Sequence, residues 1–71
     1  MSVEVLAPMP GKIIDVLVMA GDKVSEDDEL FILEAMKMEN PVYAPADGVV
    51  KEVKVKKDDT VGSNQLLLIL E

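Results

Sequence analysis

Apolar residues occur in short runs along the whole 71-residue chain, and turn residues separate these runs every few positions. Val, Ile and Leu dominate the runs, a composition typical of strands joined by tight turns. The pattern predicts eight strands, at Val3–Leu6, Lys12–Val18, Lys23–Val24, Leu30–Glu34, Glu39–Tyr43, Val49–Val55, Thr60–Val61 and Gln65–Leu70. Regular short strands with dense turn signals favour a sandwich or a flattened barrel.

The chain also contains an internal repeat, in which residues 5–34 align without a gap on residues 42–71. Twelve of the thirty aligned pairs are identical. Two copies in so short a chain predict two similar half-units that share one core about a pseudo-twofold axis, because neither half could bury its apolar face alone. A helix near residues 27–39 is less favoured, since the aligned segment 66–70 is short and uniformly apolar.

Both copies share an irregular spacing in their long strands. Three apolar residues are spaced by three and then two positions, at Ile13, Val16 and Val18 and at Val50, Val53 and Val55. A regular strand needs a spacing of two to keep one face inward. Either a β-bulge near Ile14–Asp15 and Lys51–Glu52 restores the pattern, or the first residue of each set faces the other way.

The junction between the two copies lacks ordinary turn residues. The strands on either side place a hairpin at Ala35-Met36-Lys37-Met38, which has no Gly, Pro, Asp or Asn. Tight hairpins need positive φ at one or both central residues, and for Met36 and Lys37 this costs on the order of 1 kcal/mol each. Local rules are broken most often at functional sites, so Lys37 becomes the candidate functional residue.

Composition excludes several classes of function. The chain has no Cys and no His, so hydrolytic triads, Cys-His pairs and common zinc sites are absent, and we expect no catalytic residue and no metal ligand. Fourteen acidic residues against seven lysines give a net charge of −7, which disfavours nucleic acid as a partner. No apolar run exceeds five residues, so no membrane insertion is expected. The lack of Cys and of an apolar leader favours the cytoplasm.

Four segments together resemble the biotinyl/lipoyl attachment domain family over essentially the whole chain. They are Glu34-Ala35-Met36-Lys37-Met38-Glu39, Ala7-Pro8-Met9-Pro10-Gly11, Ala20-Gly21-Asp22-Lys23-Val24 and Ala44-Pro45-Ala46-Asp47-Gly48. The resemblance implies one all-β domain over 1–71: a flattened eight-stranded barrel or sandwich of two four-stranded antiparallel sheets. It also implies an exposed lysine tip, with the two termini together at the opposite end.

The resemblance is strongest to the biotin carboxyl carrier domain of biotin-dependent carboxylases and decarboxylases. It implies covalent biotin on Lys37, with Glu34, Ala35, Met36, Met38 and Glu39 at the tip that the modifying ligase reads. Solvated strand ends explain Glu34 and Glu39 equally well, and filling of the core is the alternative for the two methionines. The implied protein is a carrier without catalytic residues of its own. Its implied partners are a biotin protein ligase, a biotin carboxylase, and a carboxyltransferase or decarboxylase. The gapless repeat leaves no room for the protruding thumb of some acetyl-CoA carboxylase carriers.

Three other interpretations stay open on the sequence. A lipoyl carrier of a 2-oxo acid dehydrogenase type complex is the first, although paired methionines beside the lysine favour biotin. An unmodified β-barrel that binds a protein through an apolar patch is the second. An acidic metal site at Asp22 and Glu26–Glu29 is the third, and a solvated turn explains those residues better. The family usually has Gly where Asp27 and Asn64 stand, and these residues tolerate positive φ best after Gly.

Overall fold

The computed structural model describes residues 2–71, and the regular structure in this range is entirely β-strand. The strands are β1 (Val3–Leu6), β2 (Gly11–Val16), β3 (Lys23–Val24), β4 (Glu29–Ala35), β5 (Met38–Tyr43), β6 (Gly48–Val53), β7 (Thr60–Val61) and β8 (Leu66–Leu70). They form two four-stranded antiparallel sheets with the orders β1-β8-β6-β3 and β5-β4-β2-β7. The predicted flattened sandwich is therefore confirmed. Strand pairing within the described range does not close it into one barrel.

The two copies of the repeat interlock. Exchanging them converts β1-β8-β6-β3 into β5-β4-β2-β7, and each sheet takes two strands from each copy. The turn hydrogen bonds repeat as well: the Asp22 carboxylate accepts from the Met19 N–H at 2.9 Å, and the Asp59 carboxylate accepts from the Lys56 N–H at 2.9 Å. Neither copy contains a complete sheet, so neither can fold without the other.

One apolar core lies between the sheets and draws on both copies. The largest side chains that are fully buried in it are Phe31, Ile13, Leu30, Leu33, Leu67, Leu68, Leu70 and Val50. The buried side chains of the described residues are all hydrophobic. Burying such a side chain stabilises the fold by roughly 1.5–3 kcal/mol relative to leaving it exposed. Because the chain has no cysteine and hence no disulfide, this packing is the main source of stability for the domain.

Both long strands contain the bulge. In β2, Ile13 pairs with Leu33 and Asp15 with the next residue Ile32, so Ile14 is the extra residue. The register shifts in the same way in β6 between Val50 and Glu52. Ile13 and Val50 are fully buried. The alternative, in which these two residues face outward, is wrong.

Several predicted strand ends are wrong by one or two residues. β2 and β6 begin one residue earlier and end two residues earlier than predicted, at Val16 and Val53. The inward-facing pattern continues to Val18 and Val55 because these residues still pack on or in the core after the ladder has ended. Periodicity reports burial rather than strand pairing, so it could not mark these ends.

Glycine allows β2 to start directly against the end of β4. A Cβ atom built on Gly11 would lie 2.3 Å from the backbone oxygen of Glu34. Its repeat mate Gly48 makes the equivalent approach to Glu71, with a Cβ–oxygen separation of 3.1 Å. The identities Gly11/Gly48 and Glu34/Glu71 therefore mark a close backbone crossing. In the first copy this crossing fixes the last residues of β4 before the hairpin.

The hairpin between β4 and β5 has a two-residue turn. Ala35 and Met38 form the last strand pair. Met36 and Lys37 lie between them with φ values of 54° and 64°, as a type I′ turn requires at both central positions. Positive φ at these two residues was predicted and is confirmed. Asp27 and Asn64 also have positive φ, at 73° and 64°, which confirms their role in place of Gly.

The close crossing at Gly11 predicts a large loss of stability on adding one methyl group. Gly11→Ala should lower the free energy of unfolding by about 3 kcal/mol, because backbone must move to admit the Cβ atom. Gly62→Ala is the matched control, since nothing lies within 4 Å of a Cβ atom added there, and it should change stability by less than about 0.5 kcal/mol. Urea unfolding followed by circular dichroism measures both. Equal unfolding midpoints for the two variants would contradict the close approach of Gly11 to the Glu34 backbone.

The strained turn predicts that a better turn residue stabilises the domain. Met36→Asn should raise the free energy of unfolding by up to about 1 kcal/mol, because Asn adopts positive φ at lower cost than Met. Met38→Asn serves as the control, because the same residue at a strand position is unfavourable and should lower stability slightly. Thermal unfolding of both variants tests this. If Met36→Asn lowered stability as much as Met38→Asn, positive φ at Met36 would not be a source of strain.

Candidate cofactor attachment site

Lys37 lies at the tip of the β4–β5 hairpin and is exposed. The tip is held in place because β4, which leads into it, pairs with β5 on one side and with β2 on the other. The described ends of the chain lie together elsewhere, since Val3 pairs with Leu70. β6 begins beside Glu71 and runs away from the chain ends. The turn after β6 lies close to the hairpin end of β2, because its Asp58 N–H donates to the Ile13 carbonyl at 2.7 Å. The tip and the chain ends therefore occupy opposite ends of a domain 33 Å long.

The two methionines beside Lys37 project into solvent. Met36 is 91% exposed and Met38 is 66% exposed. Neither belongs to the core or packs against it. Filling of the core therefore does not explain these side chains. A large apolar residue that is exposed at a strained position contributes nothing to folding, which points to contact with a partner.

Two glutamates form an acidic pair just below the tip. Glu34 and Glu39 are exposed and stand directly opposite each other in the β4–β5 register. Like charges in this arrangement are destabilising. No ammonium group within residues 2–71 forms an ion pair with either one, whereas Glu71, the repeat mate of Glu34, pairs with Lys51 at 3.7 Å. The pair is better explained by a contact outside the domain than by stability.

Asn40 ties the base of the tip together. Its side-chain amide donates to the Met38 carbonyl at 3.1 Å, and its side chain is half-buried opposite the buried Leu33. Sequence reasoning missed Asn40 because a single Asn after a strand start carries no periodic signal. It also gave Gly11 no role in positioning the hairpin, although the Gly11/Gly48 identity was available as a signal.

The two ends of the domain differ in surface chemistry although they share one backbone pattern. Four apolar residues around the end away from the tip have lysines as their repeat mates. The pairs are Leu17/Lys54, Met19/Lys56, Ala20/Lys57 and Val49/Lys12. Lys12 on β2 forms an ion pair at 3.8 Å with Asp58, which lies in the turn after β6, near the hairpin. Repeat symmetry therefore holds for the fold but not for the surface that surrounds Lys37.

The acidic segment that suggested a metal site serves its own turns instead. The carboxylates of Asp22 and Asp28 each accept a backbone N–H three residues earlier, from Met19 and Ser25, both at 2.9 Å. No group of three or more His, Cys, Asp or Glu side chains suited to a metal ion occurs in the described part of the chain. Lys54, directly after β6, forms an ion pair with Glu52, so the end of this strand presents mixed charges.

An apolar groove of about 430 Å³ lies away from Lys37, between the edge strands β1 and β5. Four repeat pairs line it: Glu4/Pro41, Val5/Val42, Leu6/Tyr43 and Pro8/Pro45. It therefore lies on the pseudo-twofold axis and arises where the two sheet edges face each other. Within residues 2–71 no helix has the length and apolar character needed to cross a membrane.

Comparison with known proteins agrees with this geometry. The family described as "Biotin-requiring enzyme" (Biotin_lipoyl) matches residues 3–70. Mitochondrial pyruvate carboxylase of Mus musculus is 49% identical over 65 residues, which are 92% of this chain and 6% of that protein. The biotin carboxyl carrier protein of Streptococcus mutans is 48% identical over 64 residues, which are 90% of this chain and 49% of that protein.

A solved structure extends the likeness to three dimensions. Urea carboxylase of Kluyveromyces lactis superposes with a TM-score of 0.93 and 27% identity, covering 100% of this chain and 6% of that one. The chain thus spans about half of the carrier protein and a small fraction of the carboxylases it matches. Fold, strained lysine hairpin and sequence agree: the chain belongs to the biotinyl/lipoyl attachment family and is a biotin carboxyl carrier domain.

Proposed function

We propose that Lys37 is the residue that carries covalently bound biotin, and that residues 1–71 act as one carrier domain. The observation that supports this most directly is the strained two-residue hairpin, with positive φ at both Met36 and Lys37. The strain is not offset by core contacts of Met36, so the tip is explained by what it presents. The residues fit the cofactor, because the exposed Lys37 amine has space around it for a tethered ring.

Attachment requires one reaction of the Lys37 amine. Its nitrogen attacks an activated carboxyl carbon, loses a proton and forms an amide, while the activating group departs. The product has no charge at this position. When bound, biotin supplies the ring that takes up and releases a carboxyl group. The domain itself contributes a fixed tip, held by the β2–β4–β5 ladder and by the Asn40 bond to Met38.

The residues around Lys37 have two proposed roles: some contact the ligase, and others support the hairpin. Met36, Met38, Glu34 and Glu39 are exposed, and we infer that a biotin protein ligase reads them on the folded hairpin. Ala35 is half-buried and forms the last strand pair with Met38, so it sets the register of the tip. An alternative without modification, a barrel that binds protein through the groove between β1 and β5, would leave the hairpin strain unexplained.

The carrier contributes transport rather than catalysis. Its proposed partners after the ligase are a biotin carboxylase and a carboxyltransferase or decarboxylase, between which the tethered group moves. Tethering raises the effective concentration at each site to roughly the millimolar range. Relatives named for pyruvate and urea share this fold, so we infer that the acceptor substrate is selected by the partner rather than by the carrier.

Two further expectations belong to this proposal. A lipoyl group is the less supported cofactor, because the relatives named above are carboxylases and a biotin carrier protein. A cytoplasmic location stays a prediction from the sequence.

Replacing Lys37 should remove modification without unfolding the domain. Lys37→Arg and Lys37→Ala should keep the wild-type circular dichroism spectrum and unfolding midpoint within about 0.5 kcal/mol, since an exposed tip side chain packs on nothing. Neither should gain the biotin mass increment after incubation with biotin protein ligase, ATP and biotin. Lys56→Arg is the matched control, another exposed lysine, and it should be modified at the wild-type rate. Biotin on Lys23, Lys51 or Lys54, or on the Lys37→Arg variant, would overturn the proposal.

A further inference from the structure

The methionines of this domain differ sharply in access to their sulfur atoms. Met36 and Met38 project from the tip, and Met19 is 68% exposed on the turn that precedes β3. Met9 is partly buried and packs against the core. Oxidation of a thioether follows its exposure to the oxidant. Peroxide should therefore reach Met36, Met38 and Met19 well before Met9.

Oxidation at the tip changes the surface without disturbing the fold. Hydrogen peroxide transfers one oxygen to the thioether: an S–O bond forms, the O–O bond breaks, sulfur is oxidised and water leaves. In a core, the polar sulfoxide would disrupt packing. Met36 and Met38 project into solvent outside the core cluster, and backbone geometry sets the turn that contains Met36. The product is a folded carrier whose tip has changed from apolar to polar on both sides of Lys37.

We propose that Met36 and Met38 are modification sites at which peroxide reversibly suppresses attachment of biotin to Lys37. The inference rests on the proposed function, because it requires that a ligase contact the tip. A partner that buries these side chains next to the reacting amine must accept a sulfoxide oxygen in an apolar contact. A buried polar group without a hydrogen bond is unfavourable by enough to slow the reaction about tenfold or more.

Met19 provides an internal control, since it takes the same oxygen at a comparable exposure. It lies on the turn whose Asp22 carbonyl accepts from the Val50 N–H, next to the strand end at Glu71 and away from the hairpin. Oxidation there adds the same mass and polarity to the domain. It should leave the ligase reaction unchanged.

The experiment treats the unmodified domain with limiting hydrogen peroxide, removes the peroxide with catalase, and then adds biotin protein ligase, ATP and biotin. Peptide mass spectrometry locates the sulfoxides, and intact mass follows biotinylation. We expect sulfoxide first at Met36, Met38 and Met19, an unchanged circular dichroism spectrum, and a rate reduced about tenfold or more. Methionine sulfoxide reductases for both sulfoxide epimers, supplied with a dithiol, should restore the rate: the S–O bond breaks, the oxygen leaves as water and the dithiol is oxidised to a disulfide.

Two variants separate the sites, each compared with its own untreated sample. Met19→Leu should remain sensitive to peroxide, whereas Met36→Leu/Met38→Leu should become insensitive while still gaining one oxygen at Met19. An oxidised tip that is biotinylated at the untreated rate would overturn the inference, as would oxidation of Met9 before the tip. If the untreated wild-type domain takes up no biotin at Lys37, the proposed function itself fails, and that result is distinct from either outcome.

Discussion

The packing of two interlocked halves around one core is the constraint on which the other features of this domain depend. Each sheet contains two strands from each copy of the repeat, so the buried residues of one copy are covered only when the other is in place. Bulges at equivalent positions keep Ile13 and Val50 inward, and glycines at equivalent positions let strand ends cross closely. The result is a short domain that is held together by packing, without a disulfide.

This packing supports an unfavourable tip. The hairpin combines positive φ at Met36 and Lys37 with a pair of opposed glutamates, and both features lower stability. Its exposed methionines add no core packing in return. The ladder of β2, β4 and β5 compensates for them and fixes the direction of the lysine. At the opposite end of the domain, apolar residues such as Met19 and Val49 stand where their repeat mates Lys56 and Lys12 are charged. Function therefore accounts for the departures from symmetry, and folding accounts for the symmetry.

Most of the fold could be predicted because the repeat supplies each signal twice. The bulge is an example: a spacing of three and then two is ambiguous in one strand, but its recurrence at Val50 indicates a shared structural cause. The ends of β2 and β6 could not be predicted, since Val18 and Val55 remain at the core after their ladders stop. The strained turn was predictable from missing turn residues. The role of Asn40 could not be predicted, because its hydrogen bond to the Met38 carbonyl depends on the geometry of the β4–β5 hairpin.

We propose that a folded hairpin, rather than a flexible peptide, presents Lys37 for modification. Exchanging Lys37 with either methionine keeps composition and the exposed amine but moves the amine by about 3 Å and changes its direction. The most direct measurement is the rate of biotinylation of Met36→Lys/Lys37→Met and of Lys37→Met/Met38→Lys by biotin protein ligase. Both should fold with wild-type strand content and react at least about a hundred times more slowly than the wild type. Equal rates for the shifted and wild-type proteins would show that the ligase reads a flexible peptide rather than the folded hairpin.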